Sequence, residues 1–391
     1  MNKQKKLNII VAMIFTCLFF SCNDSNNTKK QSTETTQATE IPSAYIFSNQ
    51  EILPITSVKN QSRSGTCWSF ATISFIESEL LRMGKGEYDL SEMFSPYYAY
   101  QEKAIKKLRR HGNSAASEGG QAHDVLNVIR THGIVPESVY SGIPAGDSIH
   151  NHTKLASDLK ALLQTTIDGK KVAENWMDDY KKILDAHLGV PPQEFEYEGK
   201  TYTPTEFAKS LINVDDYVEL TSYSCYPFYE KILLEIPDNW SNDLYYNLPI
   251  DEFMQVIDNS LQNGYTIMWD GDVSEAGFSH KNCVAIAPIE TVDSLFYKIR
   301  EEYKVDDDLR QKTFDSHETT DDHLMHLVGT STDQNGNKYY VIKNSWGVER
   351  NECGGFLNMS EAFTRLKTVA IMVNKNAIPQ NIADKLALKI K

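Results

Sequence analysis

The sequence predicts an α+β fold with two lobes, a helical lobe first and an antiparallel β lobe after it. Three observations carry this. Cys67 to Met83 (CWSFATISFIESELLRM) is apolar on most sides and ends at Gly84, the pattern of a buried central helix. Residues 145–235 look largely helical, with stretches such as LASDLKALLQ and WMDDYKKILDAHL. From Tyr265 onward strands take over: YTIMWDGDV, HLMHLVGTS, KYYVIKNSW and TVAIMVN, with DQNGNK (Asp333–Lys338) as a hairpin turn between two of them. Helices gathered first and strands later argue α+β.

The N-terminal element precedes the fold. Lys3, Lys5 and Lys6 lead into Leu7–Phe20, an apolar run of 14 residues, short for a membrane span and suited to a secretory signal. Ser21 before Cys22 resembles a bacterial lipoprotein cleavage site, so Cys22 is expected to become a lipidated first residue that ties an exported protein to a membrane. An ordinary signal cut further on, or an uncleaved anchor, is the alternative. The expected organisation is a signal at 1–21, a polar disordered tether at 22–44, and one folded region at 45–391. Within it the helical lobe runs over about 61–258, with a helical insertion at about 145–235. The β lobe takes about 259–391 plus 45–60.

The chain has 391 residues, 41% hydrophobic, enough to bury a real core. It carries 39 basic and 53 acidic residues, net −14; loss of residues 1–21 removes three lysines and no acid, giving −17. Such a surface repels phosphate backbones and argues against nucleic-acid binding. The one basic run, Lys103–His111 (KAIKKLRRH), reads as a solvated helix face.

Cysteines stand at 17, 22, 67, 225, 283 and 353. No CxxC or CxxH spacing supports a zinc site, and no framework spacing fixes disulfides, so pairing among Cys225, Cys283 and Cys353 stays open. Neither metal nor cofactor is expected. Ser64-Gly65-Thr66 can turn the chain and cap the central helix. Cys67 then sits at a helix N-terminus, where free N–H groups and the dipole favour a thiolate. Taken alone, a buried structural cysteine fits as well.

The neighbours decide. NQSRSGTCWSFA (60–71), ETTDDHLMHLVG (318–329) and VIKNSWG (341–347) occur in the order of a papain-like cysteine peptidase, which the chain resembles. The resemblance implies a two-lobed papain-like fold whose antiparallel β lobe is barrel-like, with Cys67 as nucleophile and His323 as its acid–base partner. It implies Asn344 as the group orienting the imidazole, Trp346 as the shield of that bond, and Gln61 with the Cys67 N–H as oxyanion hole. His326 competes with His323, but three residues apart on a strand the two point to opposite faces. The Asp-His and Val-Gly context selects His323; a His-x-x-His metal pair is the weaker reading. Gly119-Gly120-Gln121 resembles the segment that binds substrate backbone, with a plain turn as the alternative. Val273 and Asp272 follow a strand that could reach the specificity pocket.

Cys67 and His323 are 256 residues apart, against roughly 130–150 in the papain branch. GIVPESVY, IPDNWSNDLYYNLPIDEFM, WDGDVSEAGF and RQKTFDSHETTDDH, across about residues 50–380, are similar to the bleomycin hydrolase/aminopeptidase C branch. Ser64 also stands where papain relatives keep a disulfide cysteine. This branch implies an aminopeptidase acting on peptides, and a homo-oligomer, often a hexamer. Two departures stand out. The branch's distinctive C-terminal tail is replaced by QNIADKLALKIK, so an open cleft with endopeptidase or dipeptide-releasing activity is the alternative expectation. The location is exported where the branch is usually cytosolic. No long propeptide is seen, so activity without zymogen cleavage is expected. A non-catalytic binding lipoprotein, or an acyltransferase or ligase using the same residues, are the other function classes on this fold.

Overall fold

A computed structural model describes residues 44–169 and 171–390. The signal, Cys22 and the tether up to residue 43 lie outside the described residues.

The first lobe is built around α1 (Cys67–Arg82), in which every residue from Trp68 to Leu80 is buried. α2 (Phe94–Arg109) and α3 (Ala122–His132) pack against it. Two acids inside α1 are matched by donors. Thr56 Oγ1 and the Leu90 N–H reach Glu77 at 2.5 and 2.8 Å, and the Arg82 guanidinium forks onto Glu79 at 2.7 and 2.9 Å. α4 (Thr153–Asp168) and α5 (Trp176–Leu188) pack their leucines against Tyr97, Tyr100 and Ala104 of α2. The hairpin of β2 (Phe195–Tyr197) and β3 (Lys200–Tyr202), followed by α6 (Pro204–Leu211), closes the lobe around Phe207.

The second lobe is one large sheet. Its strands are β1 (Phe47–Ile52), β4 (Tyr217–Thr221), β5 (Lys231–Leu233), β6 (Leu244–Asn247), β7 (Ile267–Gly271), β8 (Phe278–Ser279), β9 (Val284–Ala285), β10 (His323–Asp333), β11 (Lys338–Lys343), β12 (Phe356–Ser360) and β13 (Thr368–Asn374). They run in the order β5-β6-β4-β13-β7-β10-β11-β12-β9-β8, with β1 added to β10. α7 (Ile250–Gln262), α9 (Glu361–Lys367) and α10 (Gln380–Lys385) supply side chains to its apolar core, and α8 (Asp307–Asp315) flanks α9. Leu386 and the half-buried Leu388 and Ile390 join that core. The DQNGNK hairpin forms between β10 and β11. Asp333 N–H donates to Asn337 O at 3.0 Å, and Gly336 adopts φ +80°, which glycine accommodates without a Cβ clash.

Among the described residues the β lobe is an open sheet, because β5 and β8 end the strand path without meeting. Three expectations need correction. The lobe boundary moves. β4, β5 and β6 fall in the range assigned to the helical lobe, yet β4 pairs antiparallel with β13, from Tyr217 opposite Asn374 to Thr221 opposite Ala370. α7 likewise packs on the sheet. Thr66 does not cap α1 through its side chain; its hydroxyl pairs with Ser64 Oγ at 2.6 Å instead. Finally, the basic run is not wholly solvated. Lys103 is buried, donates to the carbonyls of Ser117 and Gly119, and faces the rings of Trp68, Tyr100 and Trp240. Its long stem lets a helix face that looks polar in sequence turn one charge inward.

Candidate active site

Cys67 is the first residue of α1 and is partly accessible. As the first helical residue, its N–H has no carbonyl to bond within the helix. The sulfur meets the N–H of Leu324, the residue after His323, because β10 packs across α1. Further along the same strand, Ser74 Oγ of α1 meets His326 Nδ1 at 2.8 Å, and Phe75 lies edge-on to that ring. His326 is thus a buried strand residue committed to α1. Among the described residues no group of three or more His, Cys, Asp or Glu side chains is placed to hold a metal ion.

His323 opens β10 and is buried. Its Nε2 meets Asn344 Oδ1 at 2.8 Å. The Ser345 N–H also donates to that oxygen, at 2.7 Å, while Asn344 Nδ2 faces His280 Nδ1 at 3.4 Å. These contacts fix the amide orientation. Oδ1 only accepts, so the neutral imidazole carries its proton on Nε2, and Nδ1 keeps the lone pair. The Trp346 ring lies tilted over the imidazole, with centroids 4.9 Å apart.

Gln61 is buried in the loop before α1. Its N–H donates to Ser345 O at 2.9 Å, and Ser345 Oγ donates to its Oε1 at 2.7 Å. Nε2 gives one proton to Ser64 O at 2.8 Å, leaving the other for a ligand. Gly120 lies beside Trp68, the neighbour of Cys67, and Gly119 beside Asp238. A Cβ on Gly119 would fall 1.9 Å from Asp238 Oδ2, and one on Gly120 would fall 3.1 Å from the Trp68 ring. Glycine is therefore imposed here by the protein's own packing. Val273 is half-buried against the core of the second lobe, and Asp272 binds the backbone of Ser274 and Thr320.

The electrostatics differ from those expected of a helix N-terminus. Burial pushes the Cys67 thiol up to about 12, with the charges of Asp321, Asp270 and Asp238 adding to it, while the Leu324 N–H opposes. Burial also holds His323 down to about 4, against the pull of Asn344. Each group alone resists charge, so the resting pair is thiol and neutral imidazole. Moving the proton from sulfur to nitrogen makes both charges together, where they attract.

Sequence reasoning missed several neighbours. His280 meets the Asn344 amide, and Asn351 Nδ2 in turn donates to His280 O at 3.0 Å. Cys283 pairs with Cys353 and ties the two segments together, leaving Cys67 and Cys225 as the free thiols among the described residues. Nothing local in the sequence signals either pairing. Asp270, Asp321 and Asp238 were equally silent.

A thiol and an imidazole held this way on a helix start and a strand start define a class, the papain-like cysteine peptidases. The chain belongs to the Peptidase C1-like family, which it matches over residues 20–391. It is similar to aminopeptidase G of Lactobacillus delbrueckii subsp. lactis, 23% identical over 384 residues, covering 86% of this chain and 84% of the relative. Aminopeptidase C of Streptococcus thermophilus is 24% identical over 403 residues, covering 90% and 87%. The crystal structure of PepW from Lactobacillus rhamnosis HN001 superposes with a TM-score of 0.66 at 22% identity, covering 88% and 84%, and shares the fold.

Proposed function

We propose that this cysteine peptidase is an aminopeptidase of the bleomycin hydrolase type, which removes residues from the free N-termini of peptides through a Cys67 thioester. The observation that carries the chemistry is the 2.8 Å contact of His323 Nε2 with Asn344 Oδ1, which leaves Nδ1 as the base. The names of the relatives support the N-terminal preference.

As Sγ of Cys67 attacks the peptide carbonyl, its proton passes to His323 Nδ1. The carbonyl oxygen becomes an oxyanion, which the Cys67 N–H and the second Nε2 proton of Gln61 stabilise. Collapse breaks the C–N bond, and the imidazolium protonates the leaving amine. Water then attacks the thioester while His323 takes its proton. The acid departs and the proton returns to sulfur.

The test uses one fluorogenic peptide in two forms, free and N-acetylated, under reducing conditions. Cleavage of the free form alone, one residue at a time, is expected. Cleavage of both would favour an endopeptidase with an open cleft. Cys67→Ala should abolish turnover, and residual activity would remove Cys67 from the nucleophile role. We further propose export and lipid anchoring through Cys22; a labelled fatty acid should enter the wild-type protein and not Cys22→Ser. The hexamer implied by the branch is open to sedimentation, where a monomer would exclude it.

A further inference from the structure

Acids outnumber cations beside the nucleophile. Asp270 of β7 stands across from Leu324 of β10, the residue whose N–H meets the Cys67 sulfur. Asp270 is fully buried, and among the described residues no N–H or O–H donor reaches either carboxylate oxygen. A buried carboxylate without donors is costly, so it needs a shared proton or a ligand. Its carboxyl lies within hydrogen-bonding reach of Asp321, two residues before His323. Asp321 is half-buried and oriented by Gln121 Nε2 at 2.9 Å, in the segment that follows Gly119-Gly120. Asp321, Asp238 and Glu219 are the charges that bear most on Asp270, all of them acids. The buried cation of this region, Lys103, already serves the carbonyls of Ser117 and Gly119. No third ligand completes a metal site among the described residues.

We propose that Asp270 and Asp321 form the pocket that receives the substrate's ammonium group, the free α-amine of the N-terminal residue whose carbonyl is presented to Cys67. This rests on the peptidase reading and supplies its N-terminal preference. An ammonium offers three donors and a full charge to two facing carboxyls, with Asp270 as floor and Asp321 as mouth. Burial raises both groups, joined at Asp270 by the charge of Asp321 and at Asp321 by that of Asp238, Asp321 to about 7, so the empty pair keeps a proton that the ammonium replaces.

The test is calorimetric binding to the full chain carrying Cys67→Ala, so that turnover does not intervene. The probes are a trialanine amide, its N-acetyl form, and an N-acetyl peptide with arginine in place of the first alanine. The free amine should bind about 10- to 100-fold tighter than the acetylated peptide, the range of a charge-assisted hydrogen bond. Asp321→Asn should bring the two within about threefold, and Asp270→Asn should do the same. Thermal unfolding checks each variant, and Asp321, at the mouth, carries the test if Asp270→Asn does not fold. Equal affinities, no binding of any probe, or a preference kept in the folded variants would overturn the pocket. So would a preference for the arginine peptide that the variants abolish, since the pair would then serve a side-chain cation. Turnover of the same peptides by the wild-type chain is read separately. A free-amine preference without turnover sinks the peptidase reading and leaves the pocket standing.

Discussion

Asn344→Ala measures how much catalysis rests on a fixed imidazole. In the resting site the ring is neutral, because burial holds His323 down to about 4 while the Asn344 contact pulls the other way. During attack the ring becomes a buried cation, and Oδ1 then accepts a charge-assisted bond at the 2.8 Å separation already in place. A hydrogen bond to a charged group contributes roughly 1.5–3 kcal/mol, and each 1.4 kcal/mol is tenfold in rate. The expected loss in kcat/KM is therefore about 10- to 150-fold, carried by kcat, because the contact strengthens only as charge forms. Steady-state kinetics on the free-amine peptide reads it, with thermal unfolding as the control. A well-folded variant within threefold of wild type, or one whose loss lies wholly in KM, would refute this account.

Two further outcomes follow from the same site and its surroundings. His323 must be neutral to accept the thiol proton, and its pKa is lowered to about 4, so kcat at saturating peptide, where the bound ammonium has already displaced the proton of the acid pair, should fall only as pH drops through about 4. An acid limb centred above pH 6 would contradict this. Replacing both Cys283 and Cys353 by serine opens a link between residues 70 apart and should cost about 2–4 kcal/mol in urea unfolding; an unchanged midpoint would show that the link leaves stability untouched.

The elements that hold the catalytic candidates were legible because their signals are local. CWSFATISFIESELLRM announces a buried helix by composition, and HLMHLVGTS-turn-KYYVIK announces a hairpin by its turn. What was illegible depends on partners far away. YVELT (217–221) is only five residues long, inside a stretch dominated by helical patterns, and its identity as β4 comes from β13 beside it. Lys103 reads as solvated because its neighbours are charged; its burial depends on the carbonyls of Ser117 and Gly119, held on another segment. His280 reaches Asn344 across the sheet, at a separation no periodicity predicts. Thr66 had the right chemistry to cap α1, but the hydroxyl of Ser64 claimed it first. The thiol's high pKa was missed for the same reason. The helix field is visible in sequence, whereas the burial and the three aspartates opposing it are tertiary.

The loop before α1 and the loop after β11 are stitched edge to edge. Asn60 bridges Trp346, Gln61 exchanges two bonds with Ser345, and the Gly347 N–H donates to Lys59 O at 3.0 Å. The proposed oxyanion donor and the support of the imidazole are therefore one mechanical part made from two distant stretches of gene. Anyone transplanting specificity between such enzymes would have to move 59–66 and 344–347 as a pair. A chimera that takes one without the other should fold, since both lobes keep their cores, and yet misplace the donor relative to the base. Recombination breakpoints between these stretches are tolerable only where the seam residues match.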